Sequence, residues 1–173
     1  QTGIYVEKTM DAYGYTAQAK YNPAYGTPYW TRDINGYSFQ YHYDEFGRLT
    51  HLWGPYDMET GRAAIEVQYA GAIVTAEGIS APARAVTYNR SGGRYNETIA
   101  IVRFADGLGR ELQVKTQAQV GGQNGFTVSG AKMYDAMGRV QAEGKPYFEA
   151  GSSFAYTPVT LRYPTTYQYD CMG

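Results

Sequence analysis

One segment of the chain reads Tyr37-Ser38-Phe39-Gln40-Tyr41-His42-Tyr43-Asp44-Glu45-Phe46-Gly47-Arg48-Leu49. Up to Tyr43 an aromatic ring stands at every second position, and a period of two places these rings on one face of a β-strand. Asp44 suits the start of a type I turn, because its carboxylate accepts hydrogen bonds from amides further along. Gly47 can adopt the left-handed conformation that closes a three-residue loop with a bulge. The segment therefore predicts a β-hairpin that turns at residues 44–48.

The bulged turn also predicts which residues of the two strands face each other. Asp44 lies opposite Arg48, an opposite-charge pair of the kind that stabilises hairpins. The strand residues then pair as Tyr43 with Leu49, Tyr41 with His51, and Phe39 with Trp53. All the large rings share one face in this register, whereas a four-residue loop would mix the faces. His42 and His51 lie on opposite faces, so we expect no two-histidine metal site.

The turn motif Asp-x-x-Gly-Arg recurs along the chain. Its three strict copies are Asp44, Gly47 and Arg48; Asp106, Gly109 and Arg110; and Asp135, Gly138 and Arg139. A further copy begins at Asp170 and stops at Gly173, one residue before the expected arginine, so we expect the natural protein to continue. A looser copy with one extra internal residue completes the set, which predicts repeat turns near 44–48, 57–62, 106–110, 135–139 and 170–173.

The second strict copy leaves one question open. With Asp106 opposite Arg110, the strand residues pair as Phe104 with Leu112 and Val102 with Val114. The apolar face of this hairpin is then the one that carries the aspartate and the arginine, opposite to the first hairpin. Either the sheet is covered on both faces, or the register differs between copies.

These motifs resemble the YD-repeat (RHS-repeat) family. The likeness covers the chain from about residue 21 onward, and its clearest parts are Tyr21-Asn22-Pro23-Ala24-Tyr25-Gly26, Asp33-Ile34-Asn35-Gly36, Tyr41-His42-Tyr43-Asp44-Glu45-Phe46-Gly47-Arg48-Leu49 and Phe104-Ala105-Asp106-Gly107-Leu108-Gly109-Arg110. The pattern is similar to bacterial RHS proteins and to the B-type subunits of insecticidal toxin complexes, and more distantly to the YD shell of animal teneurins. Ala105 departs from the motif, which has tyrosine at that place.

The resemblance implies an all-β fold, in which a succession of antiparallel β-hairpins forms a curved open sheet, one segment of a spiral and hollow shell. Residues 1–173 would be a single YD-repeat region, a fragment of a longer secreted or surface-exposed bacterial protein. Its role would be structural: such shells enclose or display a C-terminal toxin, so the partners would be further repeats and the enclosed domain. The self-cleaving aspartyl signature of these shells does not occur in this sequence, so the chain would be part of the wall.

Composition argues against other functions. Lys and Arg number 15 against 16 Asp and Glu, which lacks the basic excess of a nucleic-acid binder. A 16% aromatic content is too high for a disordered chain, and no apolar run is long enough for a transmembrane segment. We expect no enzyme, cofactor or metal, because Cys171 has no partner histidine nearby in sequence and the motif aspartates occupy turn-capping positions.

A binding module is the alternative interpretation. Tyrosines make up 19 of the 173 residues, and exposed rings on a sheet can stack on sugars or on a partner protein. The candidates for such a carbohydrate- or protein-binding adhesive module are Trp30, Tyr41, Tyr43 and Trp53. An excised strip of hairpins also exposes its strand edges, so we predict edge-to-edge self-association.

Overall fold

The computed structural model describes residues 3–90, 97–158, 161 and 163–170, and within them the regular structure is all β. The described strands are β1 (Lys8–Met10), β2 (Thr16–Asn22), β3 (Thr27–Arg32), β4 (Ser38–Tyr43), β5 (Leu49–Trp53), β6 (Ile65–Ala70), β7 (Ile73–Thr75), β8 (Gly78–Ala81), β9 (Ala83–Arg90), β10 (Thr98–Ala105), β11 (Glu111–Val120), β12 (Gln123–Ser129), β13 (Lys132–Tyr134), β14 (Val140–Glu143), β15 (Tyr147–Ala150) and β16 (Thr165–Thr166).

Most of these strands belong to one large antiparallel sheet. Its order is β1-β2-β3-β4-β5-β6-β9-β10-β11-β12-β15, and two smaller sheets are ordered β13-β14-β16 and β7-β8. Neighbours in the large sheet are mostly neighbours along the chain, as a succession of hairpins requires. The sheet is open, because β1 and β15 stand at its two ends. The prediction of an all-β fold with an open antiparallel sheet is confirmed.

The hairpin of β4 and β5 does not have the predicted register. Tyr43 lies opposite Leu49, as predicted, but Thr50 is then left unpaired and the pairing continues as His42 with His51, Tyr41 with Leu52 and Gln40 with Trp53. The predicted pairs Tyr41–His51 and Phe39–Trp53 are therefore wrong. The physical reason is a β-bulge at Thr50, which moves every following side chain of β5 to the other face.

The same bulge occurs in the other two strict copies. Between β10 and β11 the pairing passes from Ala105–Glu111 to Phe104–Gln113, and between β13 and β14 it passes from Tyr134–Val140 to Met133–Ala142. In each hairpin the extra residue is the sixth after the motif aspartate. The predicted pairs Phe104–Leu112 and Val102–Val114 are wrong for this reason. The register is thus shared by all three copies and differs from the one that the sequence predicted.

The chain forms two compact units, one from the described residues of 1–67 and 88–97, the other from those of 68–87 and 98–173. Most of the buried apolar side chains lie in the second unit and include Val102, Phe104, Phe126 and Val128. Two rings of a segment without strand structure pack on this core: Phe154 against Phe126, and Tyr156 against Phe104, at centroid distances of 5.5 and 5.4 Å. We call residues 152–158 the strap.

The strap also brings polar partners to the buried face of β11. Gln113 and Lys115 are fully buried there, beside Phe104 and Val102. The Lys115 Nζ donates hydrogen bonds to Glu149 Oε1 at 2.9 Å and to Thr157 Oγ1 at 2.8 Å, and the Gln113 Nε2 donates to the Thr157 carbonyl at 3.1 Å. A buried lysine is tolerated only with such partners. The core therefore contains polar positions that the alternation of the sequence assigned to the other face.

Candidate functional site

The aspartate of the first strict copy organises its turn through both carboxylate oxygens. Asp44 Oδ1 accepts hydrogen bonds from the amides of Phe46 and Arg48 at 3.0 and 2.9 Å, and its Oδ2 accepts one from Arg48 Nε at 2.7 Å. The Asp44 amide donates to the Arg48 carbonyl, and the Gly47 amide donates to the Asp44 carbonyl. Asp44 and Arg48 thus lie opposite each other and close the turn.

The second and third strict copies form the same turn. The carboxylates of Asp106 and Asp135 accept hydrogen bonds from the Nε atoms of Arg110 and Arg139 at 2.7 and 2.8 Å. In all three copies the glycine has a positive φ, with values of 75°, 76° and 81° at Gly47, Gly109 and Gly138. Only glycine adopts this region without strain, so the predicted left-handed glycines are confirmed.

These hydrogen bonds lower the pKa of each motif aspartate. For Asp106 and Asp135 the largest cause is the hydrogen bond from the backbone amide of Arg110 or Arg139, and the guanidinium adds to it. Partial burial of the Asp44 carboxyl opposes the change, and the hydrogen bonds from Arg48 outweigh it, so the pKa of Asp44 is lowered as well. The aspartates are therefore held ionised as turn caps, a state unsuited to a proton donor near neutral pH.

Two further turns have the same backbone hydrogen bonds without an arginine directly after the glycine. The amides of Gly14 and Gly36 donate to the carbonyls of Asp11 and Asp33, and each aspartate Oδ1 accepts two further amides at 2.9 Å. The sequence interpretation missed the turn at Asp11 because it required arginine at the fifth position. The shorter pattern Asp-x-x-Gly would have found both.

The looser copy folds differently from the strict ones. Asp57 is buried, its Oδ2 accepts the amide of Gly54 at 2.8 Å, and its Oδ1 forms an ion pair with Arg90. Arg90 lies outside this copy of the motif, whereas the partner of Asp44 in the first copy is the motif's own Arg48. In the last copy Asp170 is described, whereas Cys171, Met172 and Gly173 lie outside the described residues.

A repeated pair of contacts connects one motif turn to the next. The Arg110 guanidinium carbon lies 4.3 Å from the centroid of the Tyr134 ring, and the Tyr134 hydroxyl donates to the Glu111 carbonyl at 2.9 Å. The following turn repeats both contacts: Arg139 lies 4.4 Å from the Tyr169 ring, whose hydroxyl donates to the Val140 carbonyl at 2.7 Å. We call this combination of a cation–π contact and a hydroxyl–carbonyl hydrogen bond the clasp.

The first strict copy has only half of the clasp. The Tyr43 hydroxyl donates to the Pro28 carbonyl at 2.8 Å, and Pro28 lies at the beginning of β3, as Glu111 and Val140 lie at the beginnings of β11 and β14. The residue before Pro28 is Thr27, whereas the residue before Glu111 or Val140 is the motif arginine. The tyrosine therefore keeps its hydrogen bond in this copy, but the arginine of the clasp is missing.

The four aromatic residues predicted as sugar-stacking candidates do not form one surface. Trp30 and Trp53 both lie opposite Gln40, which places them on one face, whereas Tyr41 and Tyr43 alternate with Gln40 on β4 and lie on the other. The prediction that all the large rings share a face is wrong, because the bulge at Thr50 reverses β5.

The prediction that His42 and His51 lie on opposite faces is also wrong. They are directly paired, with ring centroids 6.4 Å apart, and Trp53 stacks on His51 at 5.4 Å. Within the described ranges, no group of three or more His, Cys, Asp or Glu side chains is arranged to hold a metal ion. That same part of the chain contains no helix capable of crossing a membrane.

The comparisons show where this fold occurs. No protein-family model matches the sequence, and the search of curated proteins found no match. Among solved structures, the crystal structure of TcdB2–TccC3 is similar with a TM-score of 0.70 and 23% identity over 83% of this chain and 9% of that chain. The Photorhabdus luminescens Tc holotoxin pore with a TccC3 mutation is similar with a TM-score of 0.67 and 20% identity, over 83% of this chain and 11% of that chain.

The crystal structure of TcdB2–TccC3 without its hypervariable C-terminal region is similar with a TM-score of 0.65 and 18% identity, over 82% of this chain and 11% of that chain. The chain thus spans about a tenth of the length of these structures. At this identity the likeness is one of fold. It confirms the resemblance that the repeats carried: the chain has the β-fold of the toxin-complex proteins over most of its length.

Proposed function

We propose that the chain is a structural segment of the wall of a YD-repeat shell, in a longer secreted or surface-exposed bacterial protein. Residues 1–173 would form a single repeat region of that wall, without catalytic activity. The shell would enclose or display a C-terminal toxin, and the partners of this segment would be the neighbouring repeats and the enclosed domain.

The clasp is the observation that carries this proposal. Within a motif turn, the aspartate and the glycine shape the backbone, while the arginine and the tyrosine connect successive turns. The aspartate, arginine and tyrosine side chains of the strict motif all take part in structural contacts. We therefore assign the motif a role in connecting hairpins and none in catalysis. A joint repeated from one hairpin to the next is what an extended wall needs, and similar strips of hairpins occur in the TcdB2–TccC3 structures.

Limited proteolysis of the full-length natural polypeptide tests the enclosure. We expect its C-terminal segment to resist protease in the wild-type protein and in a Tyr13→Ala control, because Tyr13 is 88% exposed in a turn. Tyr134→Ala removes one clasp and should increase cleavage of the C-terminal segment, detected by mass spectrometry. Equal cleavage rates in the wild-type protein before and after unfolding in urea would contradict enclosure.

The adhesive module is the second candidate, and the packing of the rings supports it less. Trp53 is covered by His51, and the Lys20 Nζ lies 5.3 Å from the centroid of the Trp30 ring. A sugar would have to displace these neighbours. Titration with a glycan library tests this function: saturable binding that is lost in Trp53→Ala while the fold persists would favour the module over the wall.

Self-association through strand edges is a further part of the proposal. β1 and β15 stand at the ends of the large sheet, and strands in such end positions are the ones that can pair with another chain. Light scattering of this chain should therefore show an average mass that rises with protein concentration. A constant monomer mass at high concentration would contradict this part.

A further inference from the structure

We propose that the first unit carries a binding site for a guanidinium group, in an open groove beside the incomplete clasp of Tyr43. The groove has a volume of about 580 Å³. The residues on which the argument depends are Tyr21, Tyr25, Tyr29, Tyr41, Tyr43 and Glu45. This inference goes beyond the structural role proposed above, because it assigns a ligand to this groove.

The complete clasps show what this fold places beside a motif tyrosine. Arg110 and Arg139 lie 4.3 and 4.4 Å from the rings of Tyr134 and Tyr169, distances typical of an attractive cation–π contact. Guanidinium suits such a position because it is planar, always charged and weakly hydrated. In the first unit the Tyr43 hydroxyl donates in the same way to the Pro28 carbonyl, but the residue before Pro28 is Thr27 and not arginine.

The residue at the arginine's place does not compensate for the loss. Thr27 precedes Pro28 as Arg110 precedes Glu111, and its hydroxyl is buried without a hydrogen-bond partner in the described part of the chain. Tyr25 takes over one role of the missing arginine: its ring covers Gly47 as the Arg110 guanidinium covers Gly138. No Lys or Arg is found among the described residues that line the groove, so those residues bring no positively charged side chain to the open space beside Tyr43.

The charge of the groove favours a cation over a neutral sugar. Asp44 is neutralised by Arg48, but Glu45 is exposed, and the described residues provide no ion pair for it. The remaining lining is dominated by tyrosine rings, whose faces attract cations. Tyr25 and Tyr29 are 48% and 47% exposed, so a guanidinium can reach the groove without rearrangement of the sheet.

The test is a pair of peptides that differ in charge alone. Acetyl-Gly-Arg-Leu-amide has the sequence of residues 47–49, and the citrulline analogue replaces its guanidinium by a neutral isostere. In ¹H–¹⁵N NMR titrations of the whole chain, we expect the arginine peptide to shift the amides of residues 21–45 with a dissociation constant on the order of 1 mM. The citrulline peptide should bind about tenfold more weakly. Agmatine, a free guanidine, distinguishes a small-molecule ligand from an arginine within a polypeptide.

Variants identify the groups that recognise the cation. Tyr29→Ala and Glu45→Gln should each weaken binding about fivefold, and both residues are exposed enough for the fold to tolerate the change. Tyr43→Leu should weaken binding similarly, whereas Tyr43→Phe keeps the ring and should retain it. Tyr13→Ala is the control and should have no effect.

Three results would overturn the proposal. The first is equal binding of the arginine and citrulline peptides, and the second is unchanged binding in both Tyr29→Ala and Glu45→Gln. The third is saturation of the same amides by methyl β-glucoside at a lower concentration than by the arginine peptide, which would make the groove a sugar site.

Discussion

Replacing Arg110 by methionine and Tyr134 by leucine, singly and together, gives a double-mutant cycle. The cycle measures how much the contact between these two side chains contributes to the free energy of unfolding. The Arg110 side chain is 31% exposed and its guanidinium carbon lies 4.3 Å from the ring centroid, a geometry between the exposed and the desolvated limits of a cation–π contact. We therefore expect a coupling free energy of about 1 kcal/mol. Methionine retains much of the aliphatic packing of arginine, so the cycle isolates the charge–ring term.

The single changes differ in a way that the structure also predicts. Tyr134→Leu removes the hydroxyl–carbonyl hydrogen bond to Glu111 in addition to the cation–π contact, and a hydrogen bond of this kind contributes about 1 kcal/mol. The total loss in Tyr134→Leu should therefore be about 2 kcal/mol of unfolding free energy. Urea unfolding followed by circular dichroism gives the four free energies of the cycle.

A mismatched cycle provides the control. Arg110→Met combined with Tyr169→Leu should be additive, because the ring of Tyr169 receives Arg139. A coupling free energy below about 0.3 kcal/mol between Arg110 and Tyr134 would refute the view that the clasp stabilises the fold. The effects of two independent substitutions on the free energy of unfolding usually add to within that margin. Equal couplings in the matched and mismatched cycles would refute it as well.

Three further changes test other parts of the structure by urea unfolding. Gly125→Ala should cost about 3 kcal/mol, because the added methyl would overlap the Glu149 carbonyl oxygen, whereas Gly107→Ala, with open space around it, should stay within about 0.5 kcal/mol. Lys115→Met should cost about 3 kcal/mol because it leaves the Glu149 carboxylate without its partner, and Glu149→Leu added to it should restore stability. Asp135→Asn should destabilise the chain at pH 7, and the difference should vanish as the pH falls through the lowered pKa of Asp135, because that aspartate stabilises the fold only while it is ionised.

Local chemistry made the turns predictable. Asp44, Gly47 and Arg48 determine one another's conformation within five residues, so the motif alone predicts the hairpin, the left-handed glycine and the carboxylate–guanidinium pair. The all-β class follows from the same motif and from the alternation beside it. The resemblance to toxin-complex proteins rests on these local features too, and the fold confirms it at an identity of 23% or less.

The register was not predictable, because it depends on what covers each face. A bulge at Thr50 or Leu112 exchanges the two faces of a strand, and both the bulged and the regular register leave the strands amphipathic. The choice is decided by distant residues: Lys115 and Gln113 can point into the core only because Glu149 and Thr157 reach them from the strap and β15. Nothing within a few residues of Lys115 in the sequence indicates those partners.

The described turns separate two roles that the motif combines. Asp11 and Asp33 form the hairpin turn without a motif arginine, so Asp-x-x-Gly is sufficient to shape the backbone. The motif arginine binds the aspartate of its own turn, and where the next copy has its tyrosine, the same arginine also contacts that ring. A hairpin turn of this kind can therefore form without the motif arginine, as the turns at Asp11 and Asp33 do.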